Sequence, residues 1–221
     1  GAYHNGTLMK EENTYINGWI CTDGGDGVGG FVNPGYDRQA YSNYNIKQLQ
    51  SNRTISPVTR DFQFQPNSTY ITGKSSDLLF HPHYYGTWYT GSGTKLYLTR
   101  DNGFTYEEIY NFGVDVAAMD MCHADPDVLY ACTFPDWWGT KRIYRSLNGG
   151  ATWTEITPPA ALMNNEHLWI PYDITVDPNN PMKIWMVRTS MYNGYPAYNG
   201  FKAYTSDNGG STWTNISGTA L

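Results

Sequence analysis

Three stretches of the chain read alike: Thr99-Arg100-Asp101-Asn102-Gly103-Phe104-Thr105-Tyr106, Ser146-Leu147-Asn148-Gly149-Gly150-Ala151-Thr152-Trp153 and Ser206-Asp207-Asn208-Gly209-Gly210-Ser211-Thr212-Trp213. One template, Ser/Thr-x-Asp/Asn-x-Gly-x-Thr-Trp/Tyr, covers all three. Each octet follows a strand-like run (Lys95-Leu96-Tyr97-Leu98, Arg142-Ile143-Tyr144-Arg145, Lys202-Ala203-Tyr204-Thr205) and precedes, within three residues, Ile109, Ile156 or Ile216. An Asp or Asn in a tight turn accepts hydrogen bonds from nearby backbone amides, and a following Gly takes the positive φ that other residues avoid. Asp101, Asn148 and Asn208 are therefore read as structural acceptors and Gly103, Gly150 and Gly210 as the bend. Tyr106, Trp153 and Trp213 are expected to wedge between the two strands that the turn joins, each burying about 150–250 Å².

A second signal runs ahead of each octet, where a strand ends at a proline corner and a new strand opens on an apolar-aromatic pair. It occurs four times, at Pro34 before Ala40-Tyr41, Pro82 before Trp88-Tyr89, Pro126 before Leu129-Tyr130 and Pro178 before Ile184-Trp185. These prolines are 48, 44 and 52 residues apart, close to the about 40–50 residues of a four-stranded propeller blade. The expectation is an all-β chain, a β-propeller segment of about four antiparallel blades over residues 1–60, 61–112, 113–158 and 159–221. Each blade reads as strand A, the proline turn, strand B, a variable loop, strand C, the octet turn and strand D. In the first blade the octet has decayed to Gln48-Leu49-Gln50-Ser51-Asn52-Arg53, without Gly or Trp.

The octets resemble the Asp-box, or bacterial neuraminidase repeat, of sialidases, xyloglucanases, sortilin-type receptors and many secreted proteins of Bacteroidetes. Runs such as Asp173-Ile174-Thr175-Val176-Asp177-Pro178-Asn179-Asn180-Pro181 are most like the large secreted propellers of that phylum, which are often exported by type IX secretion. The resemblance implies a secreted or cell-surface protein. Closed propellers of this kind have six to eight blades, which implies completion by further blades of the same protein or by another chain. The likeness to sialidases stops at the octets, because Arg38, Arg53, Arg60, Arg100, Arg142, Arg145 and Arg188 show no local motif that would gather them around a carboxylate.

Composition agrees with many short strands and turns: among 221 residues are 23 Gly, 12 Pro, 19 Tyr and 8 Trp. A net charge of −6 without a basic stripe argues against a nucleic-acid partner. No apolar stretch approaches the about 20 residues of a membrane span. Cys21, Cys122 and Cys132 show no CxxC spacing. A hairpin centred on Asp127 would set Cys122 opposite Cys132, and a disulfide between them is expected there. His81 and His83, two apart on a strand-like run, either share a metal or pack as ordinary polar residues; the second reading is favoured.

Alternating strands put the proline turns and octet turns at one face, and the B–C and D–A loops at the other. The second set is long and varied, and function lives on variable loops held by a rigid scaffold. It gathers Trp137, Trp138, Trp169, Tyr192, Tyr195 and Tyr198, with Trp169 placed in the D–A loop. Aromatic planes beside Asn and Asp suit a glycan or a protein partner; the alternative is that the rings pack the loops on one another. The Gly-rich run Cys21 to Gly30 precedes a strand A. Asp23 and Asp26 there fit a Ca²⁺ site, or Asp26 fits one carboxylate of a xyloglucanase-type hydrolase, or the glycines simply relieve crowding. Three functions stay open: a recognition scaffold binding glycan or protein, a glycoside hydrolase with paired Asp residues, and a building block of an extracellular assembly.

Overall fold

The computed structural model describes residues 7–9, 20–23, 30–35, 39–42, 47–50, 59–63, 78–103, 105–134, 142–159, 162, 169–190 and 202–218. Strands β1 (Thr7–Met9) and β2 (Ile20–Asp23) form a two-stranded antiparallel sheet. Four four-stranded sheets follow. The first contains β3 (Gly30–Val32), β4 (Gln39–Ser42), β5 (Lys47–Gln50) and β6 (Thr59–Gln63). The second contains β7 (Leu79–Phe80), β8 (Trp88–Ser92), β9 (Lys95–Thr99) and β10 (Glu107–Asn111). The third contains β11 (Asp115–Met121), β12 (Leu129–Phe134), β13 (Ile143–Ser146) and β14 (Thr154–Glu155). The fourth contains β15 (Trp169–Asp177), β16 (Asn180–Ser190), β17 (Lys202–Ser206) and β18 (Thr214–Asn215). Within every sheet, spatial order equals chain order, the A-B-C-D succession expected of a blade. No helix occurs among the described residues.

The A–B register repeats with one spacing. The pairs Val32↔Ala40, Phe80↔Trp88, Met121↔Leu129 and Val176↔Ile184 each enclose seven residues, so the apolar-aromatic pairs open strand B at the same place in every sheet. Proline does not keep that phase. Pro34, Pro82 and Pro178 stand second in the connector and Pro126 stands fifth, where the fourth sheet carries Pro181. The strand pairing, rather than the proline, sets the repeat. The first connector residue caps the turn in three of the four: Asn33 Oδ1 accepts from Gly35 N at 3.0 Å, and Asp177 Oδ1 accepts from Asn179 N at 2.8 Å. His81 does the same, its Nδ1 accepting from His83 N and Tyr84 N at 3.1 and 3.2 Å. This histidine is a turn cap.

The same register corrects the cysteine expectation. Cys132 pairs with Ala118, and Cys122 N donates to Val128 O, so the hairpin is centred on Asp125, two residues before the expected Asp127. Val128 N closes the turn on Asp125 O at 3.0 Å. The two cysteines thus sit four residues out of register, about 13 Å along the strands, and both are buried free thiols. Burial pushes the Cys132 thiol well above its ordinary value, and the Asp173 charge adds to that.

Two compact units divide the chain, one of residues Gly1–Gly93 with Tyr97–Glu108 and one of Thr94–Leu96 with Ile109–Leu221. In the first unit, Tyr41, Leu78 and Trp88 form the core with Phe31, Phe80 and Tyr106 against it. Ring centroids of Tyr41 and Trp88 are 5.7 Å apart and those of Trp88 and Tyr106 5.5 Å, both edge to face. In the second unit, Tyr130, Cys132, Ile143 and Ile156 of the third sheet pack against Ile174, Val176, Ile184, Met186 and Tyr204 of the fourth. These alternate residues of neighbouring strands are what face-to-face sheets require.

Candidate functional site

The octet end of the sheets is closed by its own chemistry. In all three octets the fourth and fifth residues have positive φ: Asn102 64° and Gly103 89°, Gly149 63° and Gly150 86°, Gly209 63° and Gly210 87°. The first-position hydroxyl accepts the fifth-position amide, with Gly103 N to Thr99 Oγ1 at 2.8 Å, Gly150 N to Ser146 Oγ at 2.9 Å and Gly210 N to Ser206 Oγ at 2.8 Å. The third-position oxygen accepts the seventh-position amide: Thr105 N to Asp101 Oδ1 at 2.8 Å, Thr152 N to Asn148 Oδ1 at 2.9 Å and Thr212 N to Asn208 Oδ1 at 2.8 Å. Thr105 Oγ1 donates to Asp101 Oδ2 at 2.6 Å, whereas Asn148 and Asn208 donate through Nδ2 to the threonine hydroxyl. Burial pushes the Asp101 carboxyl up, but the hydroxyl and amide of Thr105, the hydroxyl of Thr99 and the Asp101 amide outweigh it and hold the group below its ordinary value.

The fourth-position amide ties each octet to the A–B connector of its own sheet. Asn102 N donates to Gly86 O at 2.7 Å, Gly149 N to Asp127 O at 2.9 Å and Gly209 N to Met182 O at 2.7 Å. Proline connectors and octets therefore occupy one end of each of these sheets.

Neighbouring sheets are also joined at this end. In the first unit, Tyr41 Oη donates to Asn102 Oδ1 at 2.6 Å and Asn33 Nδ2 to Tyr85 O at 2.8 Å. In the second, Arg145 Nη1 donates to Gly209 O at 2.8 Å, Tyr130 Oη to Pro181 O at 2.6 Å and Ala124 N to Pro178 O at 2.8 Å. Burial raises the Tyr130 phenol to about 12, although Arg145 works against it. Trp213 Nε1 donates to Ile156 O at 2.8 Å, so this ring bridges two sheets instead of sitting between strands C and D of its own. Trp153 lies 5.1 Å from Phe112 and its Nε1 donates to Gly150 O.

Two carboxylates on the first strands were missed by sequence reasoning. Asp120 Oδ2 accepts from Thr175 Oγ1 and Val176 N, both at 2.8 Å, and Oδ1 accepts from Met121 N. That is a clamp between β11 and β15. Asp173 Oδ1 accepts from Ile174 N at 2.9 Å; desolvation raises its carboxyl, the Ile174 amide lowers it and the Asp120 charge raises it, for a net rise. The signal available in sequence was an Asp directly before an apolar strand residue.

At the other end of the sheets leave the long loops. β12 ends at Phe134 opposite Asp115, and β16 ends at Ser190 opposite Trp169, both remote from the connectors and octets. Trp169 opens β15 instead of lying in the D–A loop, because its backbone pairs with Ser190. Trp137, Trp138, Tyr192, Tyr195, Tyr198 and Asp26 lie outside the described residues, and of Asp23 only its place at the end of β2 is described. Among the described residues no three His, Cys, Asp or Glu side chains come together. No helix of the described residues is long and apolar enough to cross a membrane.

No protein-family model matches the chain, and no curated protein sequence matches it either. Solved structures do. An ancestral GH74 enzyme superposes with a TM-score of 0.62 at 13% identity, over 99% of this chain and 25% of its own. A GH74 enzyme of Niastella koreensis gives 0.59 at 20% identity, over 83% and 28%. The GH74 xyloglucanase of Xanthomonas campestris gives 0.58 at 16%, over 87% and 31%. The fold is a β-propeller's. Identities this low speak for architecture alone, and the chain spans only 25–31% of these three enzymes. A chain of a nidogen/laminin complex superposes with a TM-score of 0.55 at 12% identity, over 82% of this chain and 61% of its own.

Proposed function

We propose that the chain is a recognition scaffold, built of Asp-box blades of a secreted or cell-surface protein, that binds glycan or protein through the loop end of its sheets. The observation that carries this reading is the saturation of the opposite end. There the octet hydroxyls, amides and carboxylate bond one another, the connectors and the neighbouring sheet, which leaves little free to meet a ligand. The sequence that follows Phe134 and Ser190 carries Trp137, Trp138, Tyr192, Tyr195 and Tyr198, and Trp169 opens β15. Aromatic planes interleaved with Asn and Asp suit the apolar faces and hydroxyl rims of sugars or the hot spots of a protein surface. Further blades complete the propeller in this reading, and Asp23 and Asp26 supply oxygen ligands for Ca²⁺.

One observation favours a second reading, a glycoside hydrolase of the xyloglucanase type. The Asp173 carboxyl is raised above its ordinary value, chiefly by desolvation, which is the direction that favours a proton donor. Asp26, on the Gly-rich run, is the carboxylate that the sequence offers to this reading. A glycan array and a reducing-sugar assay on plant and microbial polysaccharides separate the readings. Binding lost in a Trp137→Ala, Trp138→Ala variant without sugar release supports the scaffold. Sugar release abolished by Asp26→Asn or Asp173→Asn supports the hydrolase, and silence in both assays leaves a building block of an extracellular assembly.

A further inference from the structure

The third and fourth sheets carry the same cross-strand row, and only one of the two is covered. In the third sheet Cys132 pairs with Ile143, whose carbonyl accepts from Ile156 N at 2.8 Å; in the fourth, Val187 pairs with Ala203, whose carbonyl accepts from Ile216 N at 2.8 Å. The rows are equivalent, because Ile143 and Ala203 both stand three residues before an octet, and Ile156 and Ile216 both stand three after its aromatic residue.

Cys132 and Ile156 are 0% and 7% exposed, packed against the fourth sheet, whereas Val187 and Ile216 are 40% and 48% exposed. The partner surface of such a row is also on view. A Cβ added to Gly210 would lie 2.5 Å from Ile156 Cδ1, and one added to Gly150 would lie 2.9 Å from Ile109 Cδ1. The isoleucine after one octet thus seats on the fifth-position glycine of the next.

Resting on the reading of these sheets as successive propeller blades, we propose that the row Val187, Ala203 and Ile216 docks a further four-stranded sheet of the same repeat, carried in the same polypeptide beyond residue 221. The glycine of that sheet's octet receives Ile216. A further sheet is favoured over the first sheet of this chain, or of a second copy, because no glycine occurs between Gly35 and Gly73 to receive the isoleucine. Continuity supports the same polypeptide, since the sheet that covers the third is the one that follows it in sequence.

The test is thiol labelling of the full-length protein, read by peptide mass spectrometry, in Ile216→Cys and Val187→Cys variants beside Leu147→Cys, an octet position 55% exposed. The thiols introduced at Ile216 and Val187 are expected to label at least about ten-fold more slowly than the one at Leu147, at every protein concentration. Equal rates overturn the docking. Protection that grows with protein concentration also overturns it, in favour of a second copy. The native Cys132 thiol is the control for the underlying reading: if it labels as fast as Leu147→Cys, the stacked blades themselves are wrong and the inference falls with them.

Discussion

The octet at Asp101 and the two at Asn148 and Asn208 adopt one conformation with different chemistry. The φ values at the fourth and fifth positions agree across all three, and so do the hydroxyl-to-amide bonds. The charge differs, the fourth residue is Asn in one and Gly in the others, and the terminal aromatic is Tyr in one and Trp in the others. The turn is therefore held by the first-position hydroxyl and the fifth-position glycine, while the remaining positions are tuned to the neighbouring sheet.

The largest effect that sharpens this comparison is expected from Gly210→Ala. Gly113 has φ 71° with nothing within 4 Å of an added Cβ, whereas Gly210 has φ 87° and the Ile156 side chain 2.5 Å away. Backbone strain alone should cost Gly113→Ala about 1 kcal/mol, and strain plus overpacking should cost Gly210→Ala about 2–4 kcal/mol, both read by chemical denaturation. Equal losses would show that the octet glycine serves φ alone.

Ser146→Ala comes next. It removes the acceptor of the buried Gly150 amide and of Asn148 N, and should cost about 1–3 kcal/mol in the same measurement. Tyr41→Phe removes the bond to Asn102 Oδ1 and should cost about 1 kcal/mol. A double-mutant cycle with Asn102→Gly, which also relieves a positive φ on a non-glycine residue, should return that coupling.

Tyr106 differs from the tryptophans in that its buried Oη has no hydrogen-bond partner among the described residues, and burial raises its phenol far above the ordinary value. Tyr106→Phe should leave stability unchanged or raise the melting temperature, by up to about 1 kcal/mol in free energy.

The smallest effect is that of Asp101→Asn, within about 0.5 kcal/mol at neutral pH, since the other octets work with Asn. Its signature is in acid. The folded Asp101 pKa lies below the ordinary carboxylate value of 3.8, so its contribution is fully present above that value and is lost as pH falls through the folded pKa. Asp101→Asn should flatten that part of the stability profile, followed by denaturant midpoints between pH 5 and about 2.

Much of the fold was legible because its signals are short. The octet needs only hydroxyl, amide, side-chain oxygen and glycine within eight residues, and the apolar-aromatic pairs mark strand B directly. The cysteine pairing was misjudged because a two-residue error in the turn centre moves every cross-strand partner. Pro126 misled because a proline tolerates either of two places in the same seven-residue connector. The loop aromatics carry no periodic pattern, so sequence names them without ordering them.

By itself, the sequence determined the local conformation of the octets, the four-strand repeat and the residues that each strand buries, because these follow from backbone preferences and hydrogen bonds between near neighbours. Tertiary structure alone decided the partners that lie far along the chain. Trp213 finds Ile156 O 57 residues away, Asp120 clamps Val176 N 56 away and Tyr41 reaches Asn102 61 away. Such contacts depend on how two sheets come to face each other, a distance that no local preference encodes.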